Sequence, residues 1–259
     1  MRPTRAASRG GWALYELYRT TSRVAAPAVL LWRRLQGLEH PTRWPERLGR
    51  PSAARPRPGS PLVWFHAVSL GEGMAALPIV RHCVRLRPGL PVLFTTTTLS
   101  SSEVIMDLLP DGVIYQFAPL DCPTAIDSFI GYWKPSLVLL LESELWPNLI
   151  MSAAAKGIAV ALLNARISLK SFNHWSMPLM FPLVSLMLSK LSLVVPLVST
   201  HGNADVIFMY IYYCCHYSFL IITEYYSSCS FSAATYTTRN HTFCWRFKIW
   251  YTQVLSSLS

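Results

Sequence analysis

The sequence predicts an α/β fold over residues 61–200, a parallel sheet with helices on both faces. Three observations predict it. Between Pro61 and Val198 short apolar runs alternate with longer stretches of helical period. The short runs are continuously apolar rather than alternating, as strands are when both faces of their sheet are covered. Of the 259 residues, 52% are hydrophobic and 14% charged, enough apolar material for a real core and too much for a disordered chain.

Strands are expected near Leu62–His66, Val92–Thr96, Val113–Phe117, Leu137–Leu141, Ala159–Leu163 and Leu193–Val195. Helices are expected between them near Met74–Arg87, Ser101–Leu109, Thr124–Tyr132, Pro147–Lys156 and Leu169–Ser189. Pro147 suits a first helical position, where its missing N–H and fixed φ cost nothing. Strand and helix in strict alternation make βαβ units and a doubly wound domain. Ligands of such sheets bind beyond the carboxyl ends of the strands, so the residues following each strand are the ones to read for chemistry.

The formal charge of +10 belongs to one end of the chain. Residues 1–58 hold twelve arginines, no lysine and three acids (Glu16, Glu39, Glu46), a balance of +9 that leaves +1 for the rest. A nucleic-acid-binding domain carries its basic stripe on the folded body, and residues 59–200 have none, so no nucleic-acid partner is expected. The charge reads instead as a targeting or membrane-surface feature. Residues 1–10, with three arginines, no acid and small hydroxylated side chains, have the composition of an organelle transit peptide. Residues 11–38 combine Trp12, Tyr15, Tyr18 and Trp32 with Arg19, Arg23, Arg33 and Arg34. Their longest uncharged run, Val24–Trp32, is far short of the ~20 residues that span a bilayer. Two readings stand, a helix lying on the membrane and a helix packed on the domain. Residues 39–60 form a Pro/Arg-rich connector in which long elements are not expected.

After about Thr200 the composition breaks. Residues 201–259 hold no proline, one glycine and eight of the twelve tyrosines, without sustained period or caps, and are not expected to form a folded domain. Four of the six cysteines lie there, and no C-x-x-C occurs anywhere, so neither a disulfide framework nor a zinc site is expected.

The first strand leads into Ser69-Leu-Gly71-Glu72-Gly73 and a helix. One reading is a capping box, Ser69 accepting the Glu72 amide and Glu72 reaching back to the Ser69 amide. A second is a dinucleotide fingerprint, Gly71-Glu-Gly73-Met-Ala-Ala76. Against it, Glu72 puts a carboxylate where pyrophosphate should sit, and the next strand ends in Thr95–Thr98 with no acid for a ribose. The third is a catalytic carboxylate, flanked by glycines that let a substrate approach and kept ionised by the helix N-terminus, accepting a proton from an attacking hydroxyl. A second acidic cluster favours the third reading. The strand at Leu137–Leu141 runs into Glu142-Ser-Glu144-Leu-Trp146, and carboxylates at the end of a buried strand are costly unless they face a site. Arg166, after the next strand, suits Glu144 or an anionic substrate group. The hydroxyl-rich turn Thr95–Ser102, with Thr98 and Ser102, suits a sugar or phosphate, or simply caps a helix through Ser100 or Ser101.

His66-Ala-Val-Ser-Leu-Gly-Glu72, the Thr95–Glu103 segment, Glu142-Ser-Glu-Leu-Trp-Pro-Asn148 and Asn164-Ala-Arg-Ile-Ser168, in this order and spacing, closely resemble the 3-deoxy-D-manno-octulosonic acid (Kdo) transferases of lipid A assembly. The resemblance runs from about Trp12 to Val198 and includes Arg43-Trp-Pro-Glu-Arg-Leu-Gly49. The Pro- and Arg-rich start looks like that of a plant organellar member, mitochondrial rather than plastid. The resemblance implies a metal-independent, inverting glycosyltransferase of two Rossmann-like domains facing a cleft, the GT-B fold. Its N-terminal domain takes the lipid A precursor at the membrane and its C-terminal domain the donor, CMP-Kdo; no cofactor is implied. It further implies Glu72 as general base and Glu144 as a second essential acid. Ser69, Gly71, Thr98, Ser102 and Arg166 are implied on the substrate side.

Two departures are visible. Ser101 stands where bacterial members commonly have glycine, and the match stops near Thr200, where the family continues into its donor domain. The expectation is therefore a Kdo transferase by descent, with a non-catalytic, membrane-associated acceptor-binding fragment as the alternative.

Overall fold

The computed structural model describes residues 5–56, 59–142 and 145–196. Its centre is a six-stranded, all-parallel sheet in the order β3-β2-β1-β4-β5-β6, built from β1 (Val63–His66), β2 (Val92–Thr96), β3 (Ile114–Phe117), β4 (Leu137–Leu141), β5 (Ala159–Ala165) and β6 (Leu193–Pro196). Successive side chains alternate between faces. Val63 and Phe65 join Val92, Phe94, Leu137 and Leu139 on one side, while Trp64 joins Leu93, Val138 and Leu140 on the other. Both sides are apolar because both are covered, which is why the strands read as unbroken hydrophobic runs.

Helices α2 (Leu70–Leu86) and α3 (Leu99–Leu108) cover the first face through Ala76, Leu77, Val80, Cys83 and Ile105. Helices α4 (Pro123–Trp133), α5 (Pro147–Ala155) and α7 (Phe181–Leu188) cover the second, where Ile126, Phe129, Trp133, Ile150 and Met187 share a core with Trp64. The crossovers from β1 and β2 stay on one face and those from β3 onward on the other, so the order in which strands are added reverses between β1 and β4 while all remain parallel. That reversal opens the crevice where doubly wound sheets bind ligands.

Element boundaries shift from the sequence expectation by a residue or two in several places, and three of the differences have a clear local reason. The helix expected over Leu169–Ser189 is two, α6 (Leu169–Trp175) and α7. Pro178 bars its predecessor from helical conformation and Pro182 restarts the helix within its first turn. Helix α2 starts at Leu70 rather than Met74, because Ser69 caps it and draws Gly71-Glu72-Gly73 into the first turn. Strand β5 runs past Leu163 to Ala165 through an irregularity at Asn164, whose φ is 56°.

The N-terminal segment is one helix, α1 (Arg5–Leu35), with Pro27 inside it. It packs along α7 and touches α4 and α5, burying Tyr15, Ala26 and Leu30. A backbone carbonyl of Pro182 lies 2.5 Å from where a Cβ on Gly11 would stand, so glycine is required for this approach. Polar bonds fix the same face. Tyr18 donates to Asp121 at 3.0 Å, and Asp121 accepts the amides of Asn148 and Leu149 at 3.1 and 2.9 Å, capping α5. Helix α1 is therefore a packing helix on this face, as one of the two sequence readings held. The other face is exposed and apolar. Leu17, Val24, Leu31 and Leu35, spaced by seven, seven and four, stay 57–77% exposed. The exposed Arg23 and Arg34 lie on one flank of that stripe. Among the described residues no helix is long and apolar enough to cross a membrane. The tail expectation for residues 201–259 lies outside the described residues.

Candidate functional site

At the carboxyl ends of β1 and β4 the chain turns to opposite faces, and each turn carries an acid. After β1, Ser69 caps α2 and places Glu72 in the first helical turn, 6% exposed. Its carboxylate accepts the Val68 amide at 2.7 Å and the Ser69 hydroxyl at 3.1 Å, while its own amide donates to the Ser69 oxygen at 3.3 Å. The capping box is present, with a strong return bond on Val68, one residue before the expected Ser69. The anion site that a helix N-terminus offers is thus filled by the chain's own carboxylate, which leaves no place there for a pyrophosphate.

Burial raises the Glu72 carboxyl above its ordinary range, against the Val68 and Ser69 bonds and with the Glu142 charge pushing the same way as burial. The helix N-terminus favours the ionised form and removal from water opposes it. The two glycines beside Glu72 also divide. Gly71 is exposed with nothing but the Ser69 hydroxyl within 4 Å of a notional Cβ. Gly73 faces inward, where a Cβ would stand 2.7 Å from Ile105 Cδ1, so it serves the approach of α3 to α2 rather than of a substrate.

After β4, Glu142 adopts φ 59° and sits beside β5, its amide donating to Leu163. Its neighbour across the sheet end, Asn164, is left-handed as well. Side-chain-bearing residues in this region cost about 1–3 kcal/mol each and cluster at functional sites. Arg166 donates to Glu142 through Nε at 2.8 Å and Nη2 at 2.6 Å. Among the described residues the acid that pairs with Arg166 is Glu142, and Glu144, the acid expected from the sequence, lies outside them. Arg166 remains mostly exposed, and its guanidinium has more donors than Glu142 takes.

Beyond β2, Thr98 rather than Ser100 or Ser101 caps α3, accepting the Ser101 amide at 3.3 Å. Thr98 is exposed, whereas Ser101 and Ser102 are buried and Ser102 donates inward to the Leu99 carbonyl at 2.6 Å. His66, at the end of β1, is buried and hydrogen-bonded through Nδ1 to the Thr95 hydroxyl at 2.9 Å, beside the Trp146 ring. Burial, with the Arg47 charge adding, pushes its pKa down to about 4, so it is a neutral imidazole at pH 7.

Sequence reasoning missed the charged cluster of Glu39, Arg43, Glu46 and Arg47, which is buried or half-buried against the ends of β2 and β3. One signal pointed there: two of the three acids among the first 58 residues fall within this arginine-rich stretch. Among the described residues no group of His, Cys, Asp and Glu is placed to hold a metal ion.

A profile of 3-deoxy-D-manno-octulosonic acid transferases (kdotransferases) matches residues 42–204, well over half of the chain. An Arabidopsis thaliana protein described as a probable mitochondrial 3-deoxy-D-manno-octulosonic acid transferase is 58% identical over 195 residues, covering 74% of this chain and 43% of its own length. The 3-deoxy-D-manno-octulosonic acid transferase of Bordetella pertussis is 37% identical over 167 residues, 61% of this chain and 39% of its own. That of Rickettsia typhi is 40% identical over 114 residues, 44% of this chain and 24% of its own. The chain thus spans less than half the length of these relatives. Among solved structures, a UDP-N-acetylglucosamine 2-epimerase aligns with 56% of this chain and 40% of its own at TM-score 0.39 and 13% identity. By the profile match and the register of its rim motifs, the chain belongs to the 3-deoxy-D-manno-octulosonic acid transferase family.

Proposed function

We propose that this chain supplies the acceptor side of Kdo transfer from CMP-Kdo to a lipid A precursor at a membrane surface, in an inverting GT-B arrangement. The observation that carries the reading is Glu72, a buried carboxylate at the switch point between β1 and β4 with the open Gly71 beside it. A carboxylate whose proton affinity burial has raised is a better general base than an ordinary surface one. Glu72 takes the proton of the acceptor sugar hydroxyl as that oxygen attacks the anomeric carbon of Kdo. The bond from that carbon to the CMP phosphate breaks, and CMP leaves with the electron pair. Arg166, held by Glu142, offers its remaining donors to an anionic group of either substrate. Ser69, Gly71 and Thr98 line the acceptor side of the rim. Ser102 backs that rim from within, and Glu144 is assigned as a second essential acid on the resemblance alone.

The exposed apolar stripe of α1 with its arginine flank supports the membrane surface as a partner, the helix lying in the interface with its charges toward anionic headgroups. The mitochondrial description of the Arabidopsis relative supports a mitochondrial membrane as the location.

The test is a transfer assay with the purified 259-residue chain, lipid A precursor and CMP-Kdo. Turnover that falls at least about 100-fold in Glu72→Gln is expected of a general base. Turnover that survives Glu72→Gln overturns the assignment. A second reading is a non-catalytic, membrane-associated acceptor-binding protein, which the exposed apolar face of α1 supports equally well. Absence of turnover with retained binding to precursor-containing vesicles selects it.

A further inference from the structure

The roles above make no use of the charges buried beneath the rim. Arg47, in the 3-10 turn Trp44–Leu48, is 1% exposed, and each of its three guanidinium nitrogens is spent. Nε donates to Glu39 at 2.7 Å, Nη1 to the Ala118 carbonyl at 3.0 Å and Nη2 to the Thr97 carbonyl at 2.5 Å. Glu39 is 7% exposed and is gripped on its other oxygen by Arg33 from the last turn of α1. The turn cannot drift from this place. Gly49, which closes it, has φ 77°, and a Cβ there would stand 2.1 Å from the Ala125 carbonyl oxygen.

From Arg47 a continuous run of hydrogen bonds reaches Glu72. Arg47 holds the Thr97 carbonyl, the Thr97 amide donates to the Val68 carbonyl at 3.3 Å, and the Val68 amide donates to the Glu72 carboxylate at 2.7 Å. The Thr97 hydroxyl is buried without a partner among the described residues, so the backbone groups of Thr97 are the ones that tie this turn down. A guanidinium suits the task because its planar fork presents several fixed donors at once; a lysine ammonium is a point charge on a flexible stem. The two groups of Thr97, like the two of Val68, sit on adjacent peptide planes hinged at one Cα, so fixing one end of the run restricts where the other can move.

We propose that Arg47 is a positioning residue for Glu72, acting through Thr97 and Val68, and that the Glu39–Arg33 contact ties this device to the end of α1. The proposal rests on the reading of Glu72 as the general base but is tested without it. In the 259-residue chain, Arg47→Lys keeps the charge and gives up the fork. The expected result is at least tenfold faster hydrogen exchange at the Val68 and Thr97 amides, with little change in the exchange of β4 and β5. The Glu72 titration midpoint, read by carboxyl-carbon NMR, rises because the Val68 bond that lowers it weakens, while Asp127 on the far face stays put.

An unmoved Glu72 midpoint, or loosening spread evenly over the sheet, overturns the proposal. Should Arg47→Lys fail to fold, Glu39→Gln keeps Arg47 and weakens its anchor, and the same two readouts apply with a smaller change in the same direction; no local change in that variant also overturns it. A wild-type chain without turnover but with these local shifts intact counts against the general-base reading and leaves the positioning role standing.

Discussion

Arg166 and Glu142 meet at the carboxyl end of the sheet, Nη2 2.6 Å from the carboxylate, across the gap between two backbone positions of positive φ. The arginine is mostly exposed, so the pair stabilises the fold little, within about 1 kcal/mol. Arg166→Ala is expected to leave the thermal midpoint within about 2–4 °C of the parent and to weaken precursor binding at least tenfold. Vesicle co-sedimentation with and without precursor reads the second effect; equal binding by both proteins removes Arg166 from the acceptor.

Gly73 and Ile105 set how closely α3 approaches α2. Gly73→Ala forces a methyl to 2.7 Å from Ile105 Cδ1 and is expected to cost about 1–3 kcal/mol by overpacking. Ile105→Val removes that carbon, so the double variant is expected to be more stable than the two single losses add up to. Urea unfolding of the four proteins gives the coupling energy, and additivity within about 0.5 kcal/mol would falsify the contact.

His66 makes stability depend on pH in a stated direction. Its folded pKa is near 4 against an ordinary value of 6.5, so the unfolded chain binds the extra proton between those limits. The stability this neutral histidine contributes is fully present above pH 6.5 and is lost as pH falls toward 4, by about 3 kcal/mol. His66→Gln is expected to flatten the profile of unfolding free energy between pH 6.5 and 4.

The exposed stripe of α1 is expected to hold the chain to anionic vesicles. Leu31→Glu with Leu35→Glu puts two charges on the face opposite Tyr15 and Leu30, which stays docked. Vesicle affinity is expected to fall at least tenfold with the thermal midpoint unchanged, because exposed substitutions on a docked helix alter stability by about 0.5 kcal/mol or less. Unaltered vesicle binding removes this face from the membrane.

Much of this molecule was legible in advance because the signals are local. Leu137–Leu141 reads as a buried strand from five apolar residues in a row, and the structure has that strand. Ser69-Leu-Gly-Glu72 reads as a cap, and the cap forms, because the bonds it needs lie within four residues. The division of Leu169–Ser189 by Pro178 and Pro182 was equally local and was overridden by the apolar period on either side.

The partner of Arg166 was not legible in this way. The contact with Glu142 comes with a left-handed φ at that residue, which sequence spacing does not express. Nor did the connector announce its role. Arg47 looks like one more arginine among twelve until the ends of β2 and β3 bring the carbonyls of Thr97 and Ala118 to its guanidinium, 50 and 71 residues away.

The sequence by itself determined the order of strands and helices and the residues at each strand's carboxyl end, since periodicity and caps are properties of short windows. It also determined the family, through four motifs in register. Only the tertiary structure decided the protonation tendency of Glu72, the inward turn of Gly73, the docked face of α1 and the burial of Arg47. Each of these depends on which distant groups exclude water from a side chain, and that exclusion exists only once the sheet has closed its two layers of helices around it.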